Sequence, residues 1–319
     1  MVDTYDVVLA TYNGELYLYD QLRSIENQSL LPAHVYIADD GSTDCTISII
    51  SKWAKSTLIP TTYLPPLTDR LGSIRNFERL LTISKSNYVM LSDQDDIWHS
   101  DKAKNLISSI RILERHYGNN IPLLAFSDLQ VVDSSGHVIS SSFFRYQHLN
   151  PFNSDWCSIS LQNIVPGCSC ILNRKCIQLS LPFPDEVVMH DWWLALVASF
   201  SGKIIYCQRS TANYRQHANN VVGAKPFKTL FLQRLSLFLN RSLIDRYIGE
   251  PILQLKACSN RFRLDHAQSY DSIRDLTSIN PVVRISAALN LRLKKHGIMR
   301  TSLFYIFLLF WKPKQKHCS

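Results

Sequence analysis

Features of secreted, zinc-finger and repeat proteins are missing from this sequence. Its 319 residues include eight cysteines, none with the paired spacing of a zinc site. No basic and apolar leader opens the chain, because Asp3 and Asp6 interrupt it. No internal repeat or low-complexity segment is visible. These absences predict reduced thiols and a cytoplasmic location.

Long apolar runs and phosphate loops are missing too. The unbroken apolar run Leu303–Trp311 would span about 14 Å as a helix, against roughly 30 Å for a bilayer core. We therefore do not expect it to cross a membrane. A glycine-rich basic loop near the amino terminus, typical of nucleotidyltransferases, is also missing. The segment Thr11-Tyr12-Asn13-Gly14 has no positive charge to hold a triphosphate.

Charge divides the chain into two unequal parts. Residues 1–223 hold 17 Lys and Arg against 21 Asp and Glu, a net charge of −4. Residues 224–319 hold 17 against 5, a net charge of +12. The length and the 46% hydrophobic content suit one substantial core with an appendage. The sequence therefore predicts an acidic globular part followed by a basic one.

The acidic loop Asp93-Gln94-Asp95 is the most informative motif. It follows the apolar run Tyr88–Leu91, which we interpret as a buried strand. Carboxylates in this position suit Mg²⁺ or Mn²⁺, which share substrate phosphates with one or two protein carboxylates. Asp96 adds a charge that would be costly to bury alone. The alternative is an exposed acidic turn before a helix.

Two other strands end in polar loops. The apolar run His34–Ala38 continues into Asp39 and Asp40, and Tyr5–Ala10 continues into Thr11-Tyr12-Asn13. In an open α/β sheet, ligands bind outside the carboxyl ends of the strands. Three polar strand ends therefore predict one shared binding site, although each could be a turn by itself.

An ordered set of motifs resembles the family 2 glycosyltransferases, which have the GT-A fold, and particularly their rhamnosyltransferase-like branch. The resemblance covers about residues 5 to 222. The motifs are Ala10–Gly14, Asp39–Asp44, Leu71–Phe77, Ser92–Trp98, Pro166–Ser169, His190–Trp193 and Tyr214–Asn220.

The resemblance implies a role for each matching residue. Thr11, Tyr12 and Asn13 would lie against the nucleotide-sugar. Asp39, with Asp40 beside it, would contact the base. Asp93 would serve the ribose and the metal, with Asp95 as the more direct metal ligand.

Asp191 matches the general base of an inverting displacement. A carboxylate within hydrogen-bond reach of an acceptor hydroxyl can take its proton. The residue alone also fits a helix cap, with His190 exposed beside it, and the two roles can coexist.

The segment from Tyr214 onward is expected beside the diphosphate. Arg215 would neutralise phosphate charge, and His217 would complete the metal sphere or contact the diphosphate. The alternative is a solvated polar loop. The glutamine-and-tryptophan motif of processive members is missing, which argues against a polymerising synthase.

The basic carboxyl-terminal part is helical in pattern. An apolar stripe runs from Phe227 to Phe238, and Lys312, Lys314 and Lys316 follow the run Leu303–Trp311. Basic amphipathic helices suit an anionic membrane surface, where a lipid-linked acceptor would be presented. The alternative is that these helices pack on the preceding domain. A non-catalytic scaffold that binds nucleic acid is the rival from another class.

Together these observations predict an α/β protein with a GT-A domain over residues 1–222, built on a mostly parallel sheet flanked by helices. A helical, basic region over residues 223–319 follows it. The predicted activity is inverting, Mn²⁺- or Mg²⁺-dependent transfer of one sugar, by resemblance rhamnose from dTDP-rhamnose, to a growing or lipid-linked glycan. The predicted location is the cytoplasmic face of the inner membrane, with no nucleic-acid partner.

Overall fold

A mixed nine-stranded sheet forms the centre of the molecule. The computed structural model describes residues 4–217, 241–262 and 267–313. The strands are β1 (Tyr5–Thr11), β2 (His34–Asp39), β3 (Thr61–Leu64), β4 (Tyr88–Ser92), β5 (Ile97–Trp98), β6 (Leu123–Val132), β7 (Val138–Ser140), β8 (Cys170–Asn173) and β9 (Lys203–Arg215).

The strand order brings the predicted loops to one edge of the sheet. The path is β3-β2-β1-β4-β8-β6-β9-β5, and β7 pairs with β6. Strands β3, β2, β1 and β4 pair with one another in parallel. Strand β8 is antiparallel to β4 and β6, whereas β9 is parallel to β6. Because β1, β2 and β4 run in one direction side by side, their carboxyl ends meet at one edge.

Eight helices cover the sheet in the first 217 residues. They are α1 (Leu18–Glu26), α2 (Thr46–Ser56), α3 (Gly72–Ile83), α4 (Lys102–Tyr117), α5 (Phe143–Gln147), α6 (Trp156–Ile159), α7 (Arg174–Ser180) and α8 (His190–Ser201). Side chains alternate along a strand, so Val8 faces the core under α3 and α8, while Val7 and Leu9 face the core under α1, α2 and α4. This two-sided burial explains why the parallel strands read as continuous apolar runs. The predicted α/β class is confirmed.

The carboxyl-terminal helices extend the core beneath α3 and α8. They are α9 (Arg241–Ile244), which passes through a π-helical turn (Asp245–Gly249) into α10 (Glu250–Arg261), then α11 (Ala267–Asp275), α12 (Pro281–Asn290) and α13 (Ile298–Phe310). Ile252, Phe304 and Phe307 belong to the same buried cluster as Phe77 and Trp193. The helices therefore pack on the first domain, as one of the two alternatives held.

Several expectations fall outside the described residues. These are the boundary at residues 222 and 223, the stripe from Phe227 to Phe238, and Lys314 with Lys316. The run Leu303–Trp311 belongs mostly to α13, and no helix in the described parts of the chain is long and apolar enough to span a bilayer. Strand β9 ends at Arg215, so this expected site residue follows directly from a strand that pairs with β6 and β5.

Candidate active site

A cavity of about 800 Å³ lies at the carboxyl ends of β1, β2 and β4. The segment 163–167 and the first turn of α8 complete its wall. Eight of the ten predicted site residues line it: Thr11, Tyr12, Asn13, Asp40, Asp93, Asp95, Asp191 and His217. Asp39 and Arg215 are not among its lining residues. The fold therefore gathers most of the predicted site around one space.

Asp39 and Asp40 occupy different environments although they are neighbours. Asp39 is fully buried and accepts hydrogen bonds from the Thr11 hydroxyl (2.8 Å) and from the backbone and hydroxyl of Ser42 (2.7 and 2.6 Å). Asp40 lines the cavity and accepts from Asn76 Nδ2 at 2.8 Å. Asp39 therefore ties the ends of β1 and β2 together, and Asp40 is the carboxylate that faces the space.

Gln94, which the sequence reasoning passed over, locks two loops to each other. Its amide oxygen accepts from the Tyr12 N–H (2.8 Å), and its amide nitrogen donates to the Tyr12 carbonyl (2.9 Å). A Cβ at Gly14 would lie 2.4 Å from the Gln94 oxygen, so a larger residue there would have to displace the Gln94 amide from Tyr12. The sequence signal for Gln94 was its position between two aspartates. Arg70, also missed, lies 3.5 Å over the Tyr12 ring.

The acidic loop concentrates negative charge in a confined volume. Burial and the charges of Asp96 and Asp95 raise the pKa of Asp93 well above its usual range. Burial, with Asp95 nearby, raises the pKa of Asp96 to about 7. Lys102 is completely buried, lies 4.1 Å from the Trp98 ring and donates to the Cys168 carbonyl. Burial lowers its pKa to about 8.

This charge distribution fits a divalent cation. Asp95 Oδ2 lies 2.8 Å from His217 Nε2, so two predicted metal ligands meet. Asp96 Oδ2 is buried without a hydrogen-bond partner among the described residues. Ligand atoms of Asp93, Asp96 and Cys168 also lie within 4.8 Å of one another. Carboxylate oxygens and an imidazole nitrogen are ligands that Mn²⁺ accepts, and its charge would relieve the repulsion among the carboxylates.

Arg215 supports the acidic loop from behind. It is buried at the end of β9, and its Nε donates to the Asp95 carbonyl at 3.1 Å. Its Nη1 donates to the Ser134 carbonyl at 2.9 Å, and its backbone N–H donates to Asp96 Oδ1 at 3.3 Å. The guanidinium also lies 4.6 Å over the Tyr17 ring. These contacts hold the backbone of the acidic loop at Asp95, and Arg215 is not among the residues that line the cavity.

Asp191 lies in the first turn of α8, which begins after the N-cap residue Met189. Its Oδ2 accepts from the Gly167 N–H (3.0 Å) and its Oδ1 from the Trp192 N–H (2.6 Å). Burial raises its pKa to about 6, and these hydrogen bonds oppose the rise. Asp191 is therefore not the N-cap, and its carboxylate is more basic than an exposed one.

The residues around Asp191 correct one expectation and add two core residues. His190 is buried and not exposed; it stacks on Phe77 with ring centroids 3.8 Å apart. Burial lowers its pKa to about 3, so the ring is neutral at physiological pH. Trp192 and Trp193 donate their indole N–H groups to the backbone carbonyls of Ile159 and Ser180. Neither indole lines the cavity, so this pair belongs to the core.

A twisted sheet with polar strand-end loops around a cavity defines the GT-A class of glycosyltransferase fold. A solved structure of the same fold is that of S. aureus TarS 1–349 in complex with UDP-GlcNAc. It aligns with a TM-score of 0.51 and 16% identity over 90% of this chain and 80% of that chain.

The chain belongs to glycosyl transferase family 2. The family profile matches residues 6–117. The dTDP-rhamnosyl transferase RfbG of Shigella flexneri is 30% identical over 282 residues, which cover 77% of this chain and 92% of that relative. The putative glycosyltransferase EpsH of Bacillus subtilis is 22% identical over 73% of this chain and 66% of its own length.

Proposed function

We propose that this glycosyltransferase moves one sugar, with inversion, from a nucleoside diphosphate donor to a glycan hydroxyl and requires Mn²⁺ or Mg²⁺. One observation carries the proposal: a basic carboxylate, Asp191, and the acidic pair Asp93 and Asp95 line the same cavity. Such a displacement needs a general base and a cation-binding site.

The proposed donor is dTDP-rhamnose. A relative that shares most of its length with this chain is a dTDP-rhamnosyl transferase. The cavity also has an apolar surface, to which Phe143, Ile164, Val165 and Met189 contribute. Such a surface suits the methyl group of a 6-deoxy sugar, because burying one apolar carbon is worth about 0.8 kcal/mol. Thr11, Tyr12, Asn13, Asp40 and Asp93 are the proposed nucleotide contacts. Asp39 holds the Thr11 loop in place, and Arg215 holds the acidic loop.

Asp95, Asp93 and His217 are the proposed metal ligands. When bound, the cation would stabilise negative charge on the departing diphosphate. Arg215 keeps Asp95 in position through the backbone carbonyl. Lys102 and the Trp98 ring close the buried side of the loop.

Asp191 is the proposed general base. Its oxygens are fixed by the N–H groups of Gly167 and Trp192, so the carboxylate has one defined orientation towards the cavity. With a pKa of about 6 it is mostly ionised at neutral pH and still basic enough to take a hydroxyl proton. The acceptor oxygen attacks the anomeric carbon as Asp191 removes its proton, and the bond from that carbon to the diphosphate oxygen breaks on the opposite face, which releases dTDP. No covalent enzyme intermediate is needed, and inversion follows.

The proposed place of action is the cytoplasmic face of the inner membrane, with a lipid-linked glycan as acceptor. Helix α13 buries its one charged residue, Arg300, and exposes apolar side chains. The exposed set is Ile298, Met299, Ile306, Leu309 and Phe310. Lys312 follows the helix, in a region of net charge +12. An uncharged apolar face that is followed by an exposed lysine suits an anionic lipid surface.

Calorimetric titration with dTDP, UDP and GDP, each with and without Mn²⁺, tests the proposal. We expect dTDP to bind and Mn²⁺ to strengthen its binding. Preference for UDP or GDP would keep the transferase and overturn the rhamnosyl assignment. Failure of all three to bind would overturn the enzyme proposal and favour a scaffold.

A further inference from the structure

The wall of the cavity beside Asp191 is one continuous segment. Asn163, Ile164, Val165, Pro166 and Gly167 all line the cavity, and we call them the acceptor wall. The Gly167 N–H holds Asp191 Oδ2 at 3.0 Å. A small displacement of this wall would therefore displace the proposed base.

The chain that leads into the acceptor wall is held by the turn between α12 and α13. Lys295 donates from Nζ to the Leu161 carbonyl at 2.8 Å, two residues before the wall begins. The His296 N–H donates to Gln162 Oε1 at 3.2 Å. Arg300 donates from its two Nη atoms to the carbonyls of Gln147 and His148 at 2.8 and 2.9 Å. We call Lys295, His296 and Arg300 the basic clamp.

The basic clamp is itself rigidly fixed. Lys295, His296 and Arg300 are each less than a tenth exposed. The Lys295 ammonium lies 3.8 Å from the Tyr247 ring. The Thr301 hydroxyl accepts from the Lys295 N–H and donates to the Lys295 carbonyl. Burial, with Arg300 nearby, lowers the pKa of His296 to about 4, so its ring remains a neutral acceptor for the Asn150 N–H.

We infer that the basic clamp positions the acceptor wall, so the carboxyl-terminal helices contribute to the acceptor side of the site and not to the nucleotide side. The contacts support this division, because the clamp bonds residues 147–162 and the nucleotide loops are tied among themselves by Asp39 and Gln94. The inference rests on the proposed function in one respect, the role of Asp191. Misplacement of a reacting group by ~1 Å can cost ~10²-fold in rate.

Two matched Arg→Lys variants test the inference. Arg300→Lys weakens the basic clamp. Arg284→Lys removes contacts of an equally buried arginine that bonds only to carbonyls of the carboxyl-terminal helices, including those of Leu308 and Trp311. A third variant, Lys295→Met, keeps the apolar stem and removes the donor to Leu161. All are compared at a temperature well below their unfolding transitions.

Hydrogen exchange at Val165 and Gly167 gives a readout independent of catalysis. We expect faster exchange in Arg300→Lys and Lys295→Met, and wild-type exchange in Arg284→Lys. Kinetics with dTDP-rhamnose and an octyl glycoside as acceptor probe should show kcat falling ~5-fold or more and the acceptor KM rising in the clamp variants, because the wall that holds the proposed base is misplaced. The donor KM and the dTDP affinity measured by calorimetry should stay within ~2-fold of the wild-type values, because the contacts to the donor are unchanged.

Equal effects in Arg284→Lys, or donor affinity falling as much as acceptor affinity, would overturn the positioning role. Unchanged exchange at the wall would overturn it as well. If exchange changes as expected but the wild-type protein binds no nucleotide, the proposed function fails and the mechanical role of the clamp stands.

Discussion

The two parts of the molecule use charged residues in opposite ways. In residues 4–217, carboxylates gather at strand ends and face an open cavity. In the carboxyl-terminal helices, Arg284, Lys295 and Arg300 are buried against backbone carbonyls, while apolar side chains of α13 face outward. Charges in the first part are arranged for a ligand. Charges in the second part hold the chain in place.

The contrast changes the meaning of the net charge. A region of net charge +12 suggests a basic surface, yet some of its cations are buried and satisfy carbonyl oxygens. A buried arginine with several acceptors is stable because its donors form a fixed planar fork. The net charge therefore overstates the number of cations that face solvent in this region. The experiments below test the separation of roles, beginning with the largest expected effect.

Asp191→Asn should nearly abolish transfer. We expect kcat to fall by ~10²–10⁴, because the amide keeps an oxygen for the Gly167 N–H but cannot accept a proton. The dTDP affinity should change by less than ~2-fold, since the nucleotide contacts lie on other loops. Steady-state rates and calorimetry measure the two quantities. Asp185→Asn, which alters a 96% exposed carboxylate nearby, is the control. Near wild-type turnover in Asp191→Asn would exclude Asp191 as the base.

Asp95→Ala should weaken metal-dependent donor binding. We expect the affinity for dTDP in the presence of Mn²⁺ to fall at least ~10-fold, as loss of a metal-site interaction commonly does. Binding without Mn²⁺ should not change. Asp20→Ala, on the exposed face of α1, serves as the control. Equal losses with and without Mn²⁺ would show that Asp95 acts on the nucleotide directly.

The pH profile should report the ionisation of Asp191. Its raised pKa of about 6 means that the base form is lost as the pH falls below 6. We therefore expect kcat/KM to fall ~10-fold for each pH unit below that value, because the free enzyme must carry an ionised base. A profile that stays flat down to pH 5 would contradict this assignment.

Glutamate on the outward face of α13 should weaken membrane binding without affecting chemistry. For Leu309→Glu with Phe310→Glu we expect vesicle binding to fall ~10-fold or more, because each apolar side chain contributes ~1.5–3 kcal/mol when buried. Co-sedimentation with anionic vesicles gives the measurement. Leu58→Glu alters a 98% exposed side chain of the first domain and is the control. If all variants bound anionic vesicles equally, or if neutral vesicles were bound as strongly, this face of α13 would not be the membrane-binding surface.

Gly14→Ala should have the smallest effect. The added Cβ would meet Gln94 and separate the loops that Gln94 joins, at a cost of ~1–3 kcal/mol in the free energy of unfolding. We also expect a few-fold loss of dTDP affinity. Adding Gln94→Ala removes the clash, so the double variant should lose less stability than the two single changes together. Additive losses in urea unfolding would show that the two residues are not coupled.

The sequence was sufficient to predict the strands and loops around the site, because apolar runs that end in polar residues have few other interpretations in an α/β sheet. It did not reveal which way side chains turn. Asp39 and Arg215 carry the expected residue types but bond to the backbone and to neighbouring loops. Gln94 and the basic clamp act through contacts between distant segments. No local pattern records such contacts, so these residues could be found only in three dimensions.

The most direct test of the account is to incubate the protein with dTDP-rhamnose, Mn²⁺ and an octyl glycoside and to follow the anomeric proton of the product by NMR. We expect one rhamnosyl product with the anomeric configuration opposite to that of the donor, one dTDP released per transfer, and loss of both when the metal is chelated. Retained configuration, or transfer that is unaffected by chelation, would contradict it.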